Sequence, residues 1–183
     1  MKTRVLFAFV VAAALTTSIA SAQTIEATPI PRPAKPDFTS MKFLVGTWSC
    51  TTKSSRRPSP TAVSIATTLD PNGYWLVQKW SSEAVSWFPY PSTGQDLITY
   101  DADTGRWIDA ESDSLGGYDL STSKGWDGNH MTWHDLAFAR GKDIVSVTEL
   151  TNTKDSETKI SSVSGFTTKA GKSVHVATSC TKK

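Results

Sequence analysis

The chain has 183 residues, seven of them Trp, with 19 Lys and Arg against 17 Asp and Glu. Removing a leader that carries Lys2 and Arg4 leaves 17 cations against 17 acids (19 − 2 = 17). Such a balance excludes the basic excess by which nucleic-acid binders are recognised, and gives acidic polymers and membrane surfaces no net charge to respond to.

The predicted elements begin with that leader. Residues 1–22 carry Lys2 and Arg4, an apolar run from Val5 to Leu15, and Ala20-Ser21-Ala22 before Gln23, which together read as a secretory signal peptide. The apolar run is shorter than the roughly 18–20 residues a membrane helix needs. Export to a periplasmic or extracellular compartment follows, and in an oxidising compartment Cys50 and Cys180 are most simply one disulfide. Residues 23–36 hold Pro29, Pro31, Pro33 and Pro36, which leave little room for helix or ladder and predict an extended linker. Roughly 160 residues follow the leader, enough for one domain with a real core, and that domain is expected over 37–183.

Asp37 or Ser40 is a possible cap, and Phe38, Met41, Phe43 and Leu44 are there to be buried, which predicts one short helical turn. Every later segment reads as strand: 46–55, 61–69, 74–82, 95–101, 106–113, 117–123, 130–138, 143–151, 157–168 and 172–181. The turns between them hold glycines, as in Asp70-Pro71-Asn72-Gly73, Asp101-Ala102-Asp103-Thr104-Gly105 and Lys169-Ala170-Gly171-Lys172, as tight reversals require. About ten short strands in a meander predict an all-β, up-and-down antiparallel barrel, which removes exposed edges; a sandwich is the alternative. The cysteines, one near each end of the strand series, favour the barrel.

A barrel has an interior, and the side chains that would line it are the candidate site. Alternation places either Trp75 with Val77, or Tyr74 with Leu76 and Trp80, inward, and does not choose. Met131 and Trp133 share a face and are expected inward, with His130 and His134 on the other. The run Trp87-Phe88-Pro89-Tyr90-Pro91 is too apolar for an ordinary solvent loop. It is read either as a lid over the mouth or as a loop packed on the outer wall. His130 and His134 have the i, i+4 spacing of helical metal ligands, but on a strand that spacing spans about 13 Å, so no metal site is expected. Asp109, Glu111 and Asp113 alternate on one strand, with neighbours about 6–7 Å apart. If they line the cavity they form a carboxylate set suited to general acid and base work. The simpler reading puts Ile108 and Ala110 inside, and Trp107 and the acids in water.

Two segments resemble a known family. Phe43-Leu44-Val45-Gly46-Thr47-Trp48, a short helical turn running into Gly-x-Trp, is similar to the opening of lipocalin-like (calycin) barrels. Tyr100-Asp101-Ala102-Asp103-Thr104-Gly105-Arg106-Trp107 resembles a hairpin of a largely uncharacterised bacterial branch of such secreted barrels, and Gly116-Gly117-Tyr118 and Gly125-Trp126-Asp127-Gly128 extend the likeness. The resemblance implies a closed antiparallel barrel with a cavity for a small, mostly apolar ligand, and gives Gly46 and Trp48 a structural role, the indole plugging the closed end. The chain lacks that family's mid-chain Thr-Asp-Tyr and its late Arg over the Trp. His175 is similar to the late-strand haem ligand of nitrobindin-like barrels, but Ser49-Cys50-Thr51-Thr52 stands where those have a glycine-rich strand, so no haem or other cofactor is expected.

The functional expectation is a monomeric exported barrel that binds a small apolar or amphipathic molecule through Trp75, Trp80, Trp87, Phe88, Tyr90, Met131 and Trp133, without nucleic-acid partners or membrane insertion. The alternatives are a small-molecule enzyme (isomerase, cyclase or hydrolase) using interior carboxylates, and a protein-interaction module. Two or more inward carboxylates would favour the enzyme.

Overall fold

The computed structural model describes residues 32–86, 88–139 and 143–183. The expected leader, Trp87 and residues 140–142 lie outside the described residues. Residues 34–183 form one compact unit. A 3-10 turn at Thr39–Leu44 leads into β1 (Gly46–Ser54), β2 (Thr61–Leu69), β3 (Leu76–Ser82), β4 (Ser92–Asp101), β5 (Arg106–Asp113) and β6 (Tyr118–Ser123). These are followed by β7 (Trp126–Asp127), β8 (His130–Ala139), β9 (Ile144–Val147), β10 (Leu150–Ser156), β11 (Lys159–Thr168) and β12 (Ser173–Lys182).

Ten of these strands close a ring in the order β1-β2-β3-β4-β5-β6-β8-β10-β11-β12, every neighbour antiparallel. The barrel expected from the sequence is the one observed, and the sandwich is not. The first and last strands form its seam, from Trp48↔Lys182 to Ser54↔Val176. The Cys50–Cys180 disulfide crosses that seam between directly paired residues, as expected. A disulfide is characteristic of non-cytoplasmic, oxidising compartments. No helix among the described residues is long and apolar enough to cross a membrane.

Alternation makes the wall. On β1, Trp48 and Cys50 are buried while Thr47, Ser49 and Thr51 are exposed; on β12, Val174 and Cys180 are buried while His175, Ala177 and Ser179 face out. One end of the barrel is closed by the 3-10 turn, whose Met41 and Phe43 are buried against the core. Met41 packs with Leu76, Ile98, Trp107, Met131 and Trp133, and Phe43 with Trp48 and the disulfide. Each such side chain taken from water contributes roughly 1.5–3 kcal/mol, which ties the 3-10 turn to the end of the barrel.

Two expectations need correction. The strand expected over 143–151 is two strands: β9 pairs with the upper half of β11 and β10 with its lower half, the break falling at Thr148–Glu149. The sequence runs β-rich through this break, so no turn residue marked it. On β5 the faces are the reverse of the simpler reading. Trp107 is buried, and Asp109 and Glu111 line the interior.

The ring is also uneven. β8 and β10 share four register pairs, from Leu150↔Trp133 to Thr153↔His130. Above Trp133, β8 stays with β6 while β9 stays with β11, and among the described residues no ladder joins β8 to β9. Just outside the point of divergence, His134 Nδ1 lies 2.9 Å from Glu149 Oε1.

Candidate functional site: the barrel interior

The interior holds two cavities with shared walls. The deeper one, about 480 Å³, rises from the closed end between Trp48, Ile65, Trp80, Ile98, Met131 and Trp133. The upper one, about 500 Å³, is bounded by Asp119 and Asp135, by Val147 and Phe166, and at the rim by Arg56 and Arg57 of the β1–β2 turn. Asp109, Glu111, Trp133, Leu150 and Ser164 belong to both. Aromatic side chains cluster at the floor, but acids line both cavities: Asp96 and Asp113 the deeper one, Asp119, Asp135 and Asp143 the upper one, and Asp109 and Glu111 both.

Several local devices hold this wall. Trp80 and Gly94 are register partners across β3 and β4, and a Cβ on Gly94 would lie 2.3 Å from Trp80 Cζ2, so the indole takes the space that any other residue would fill. Gln78 Nε2 donates to Thr67 Oγ1 at 3.2 Å, which turns one polar side chain of the wall into a fixed contact. Asp113, the third acid of the set, is committed to structure: its Oδ1 accepts from Leu115 N at 2.7 Å and Gly117 N at 2.9 Å, capping the β5–β6 turn. Asp96 joins Asp113 on the wall of the deeper cavity. Arg57 has its pKa lowered by burial of the guanidinium and by neighbouring Arg56, against a smaller opposing effect of Asp143. The rim is thus a place where like charges are held together.

The floor is Trp48, buried, with Nε1 donating to Leu44 O at 2.7 Å. Lys182 lies over its ring, Nζ 5.4 Å from the centroid, and donates to Phe43 O at 2.8 Å. Gly46 makes this possible. Its φ is +129°, and a Cβ there would meet Lys182 Cε at 2.9 Å. Nothing in the sequence reading pointed to Lys182; the signal was its place two residues after Cys180, in register with Trp48.

The other expected residues are distributed as follows. Of the two inward sets on β3, the structure selects Leu76 and Trp80; Trp75 lies in the turn before the strand, 38% exposed, away from the cavity. Met131 and Trp133 are buried and line the interior, with His130 and His134 exposed on the opposite face. Phe88 and Tyr90 stack edge to face at 5.7 Å in the β3–β4 loop, Tyr90 61% exposed, and neither lines the two interior cavities. His175 faces out. Among the described residues no three His, Cys, Asp or Glu are grouped to hold a metal ion. The sequence reading missed Asp96, Asp119 and Asp135, isolated acids in β-rich runs that alternation assigns to the solvent side. It also missed Trp126, whose Nε1 is buried beside the deeper cavity without an acceptor among the described residues.

No family model matches the sequence, and no curated protein matches it. Among solved structures, the chain is similar to a de novo designed fluorescence-activating β-barrel at 11% identity, over 77% of this chain and 94% of that one, with a TM-score of 0.41.

Proposed function

We propose that this protein is an exported barrel that holds a small amphipathic molecule in its interior. The observation that carries the reading is the mixed lining of the cavity, apolar surface set with carboxylates. Trp and Ile side chains line it above the floor, and Asp96, Asp109 and Glu111 stand on the same wall. A purely apolar ligand would leave those carboxylates facing hydrocarbon, which is costly. A ligand with an apolar body and a hydrogen-bond-donating or cationic head matches both kinds of lining. An ionised carboxylate accepts through about four lone-pair sites, so one that already has a protein partner still accepts from a ligand. An acceptor on the ligand body would satisfy Trp126 Nε1. The signal peptide and the linker expected before residue 37 belong to this proposal, as does the lipocalin-like assignment. Lys182 over Trp48 supports the latter, because it stands where that family's late Arg would cover the Trp.

One observation favours a second reading. Asp109 and Glu111, on one face of one strand about 6–7 Å apart, are at a separation at which paired carboxylates serve as acid and base around a small substrate. In that case the barrel is an enzyme, and the same ligand its substrate.

Native mass spectrometry of protein isolated from the compartment where it accumulates tests the first reading, together with titration of tryptophan emission by matched fluorescent amphiphiles with amine or carboxylate heads. The amine is expected to quench more strongly, and Asp109→Asn with Glu111→Gln to erase the preference. No co-purifying molecule and no saturable quenching by either probe would overturn the proposal. Turnover of the co-purified compound that is lost in the double variant would establish the enzyme.

A further inference from the structure

We propose that the open end of the barrel is a docking surface for anionic membrane. In an up-and-down barrel alternate turns fall at the same end. Here the β1–β2, β3–β4, β5–β6 and β11–β12 turns and the start of β9 gather opposite the 3-10 turn. The described residues of this rim carry four cations, Arg56, Arg57, Lys169 and Lys172, against three acids, Glu83, Asp113 and Asp143, and the cations all lie on the β1–β2 and β11–β12 turns, whose own residues include no acid. Asp143 is tied to Arg56 at 2.7 Å. At the other end the strand-connecting turns hold Asp70, Asp103, Asp127 and Glu157 with Lys124, and the 3-10 turn and the end of β12 add Lys42, Lys182 and Lys183. The rim cations are thus concentrated on two turns that lie side by side where β12 pairs with β1.

The same rim exposes large apolar side chains. Tyr90 is 61% exposed, Leu115 56%, Val145 53% and Tyr118 50%. Leu115 sits at the tip of a turn braced by Asp113, so it is presented from a fixed backbone. A soluble polyanion would use the cations alone. Anionic bilayer uses both features: basic side chains meet the headgroups, and Tyr and Leu enter the interfacial layer, the two-signal combination that peripheral binding needs. Beside Arg56 the rim forms a hollow lined by Lys169, Lys172, Thr168 and Ser173, with Asp143 on the same hollow. Docked this way, the mouth of the barrel faces the bilayer. The inference stands whether or not the interior binds an amphiphile.

The test is co-sedimentation of the full chain with phosphatidylcholine vesicles with and without phosphatidylglycerol, so that any contribution of the first 22 residues is common to every variant. Binding is expected to require phosphatidylglycerol and to weaken with salt. Each of Arg57→Gln, Lys169→Gln and Lys172→Gln is expected to lower partitioning about fivefold. Leu115→Ser is expected to weaken binding without changing the salt slope. Lys124→Gln, at the opposite end, is expected to bind as the parent does. Absence of binding to phosphatidylglycerol vesicles at low salt would overturn the proposal, as would rim variants that bind as the parent does. Equal affinity for dextran sulfate, with Leu115→Ser indistinguishable from the parent, would assign the rim to a soluble polyanion instead.

Discussion

The indole of Trp80 lies where a side chain on residue 94 would have to be. Gly94 has an ordinary extended backbone, so its lack of a side chain answers to space alone. We expect Gly94→Ala to push the indole off the wall, at a cost of about 1–3 kcal/mol. Trp80→Ala should open a void beside the same glycine, and the double variant should be less destabilised than the sum of the two. Urea denaturation of the four proteins of this cycle checks it, and strict additivity would show that the close approach carries no energy.

Gly46 answers to both space and backbone, so the floor should be sensitive there. Gly46→Ala places an L side chain at φ +129° and a Cβ 2.9 Å from Lys182 Cε, with an expected loss of about 1–3 kcal/mol. Lys182→Met retains most of the aliphatic stem and removes the charge over Trp48 and the bond to Phe43 O, for about 1 kcal/mol. Methionine keeps a Cε at the point of contact, so combining the changes should recover little of the Gly46 penalty. Calorimetric midpoints resolve the two contributions.

The closed-end turns give a pH dependence whose sign can be stated. Asp101 has its pKa held below 3.8 by the hydroxyl of Thr104 and the N–H of Asp103. Burial tends to raise that of Asp70, but donors from Trp75, Asn72 and Tyr74 outweigh it and the net shift is downward. A carboxyl whose folded pKa is depressed contributes stability above its unfolded pKa and loses it as pH falls through the folded one. The unfolding midpoint should therefore hold above about pH 4 and fall below it. Asp70→Asn and Asp101→Asn should each flatten that fall, and profiles that stay as steep would remove these turns as its source.

The strand order and the seam disulfide were legible in the sequence because glycine turns, strand alternation and paired cysteines are local signals with one common solution. The face of β5 was not. Alternation tells inside from outside only when the interior is apolar, and here the interior carries Gln78, Asp96, Asp109 and Glu111. The outer wall, meanwhile, aligns Val77, Leu97, Ala110 and Leu120 in one register row. Polarity read strand by strand therefore assigns Asp109 to water, and only pairing β4 with β5 sets it beside Ile98, a core residue. Lys182 was hidden for another reason. A lysine near a chain end is ordinary, and its role appears only when the register lays it beside Trp48.

The seam disulfide also determines how the molecule carries tension. Cys50 and Cys180 enclose a covalent loop with a sequence separation of 130, leaving only Gly46–Ser49 of β1 and Thr181–Lys182 of β12 outside it. A pull on the two ends of the oxidised chain passes from one strand to the other through the sulfur bridge, and the rest of the wall bears none of it. A thiol reductant reaching this buried pair would return the whole meander to the line of force.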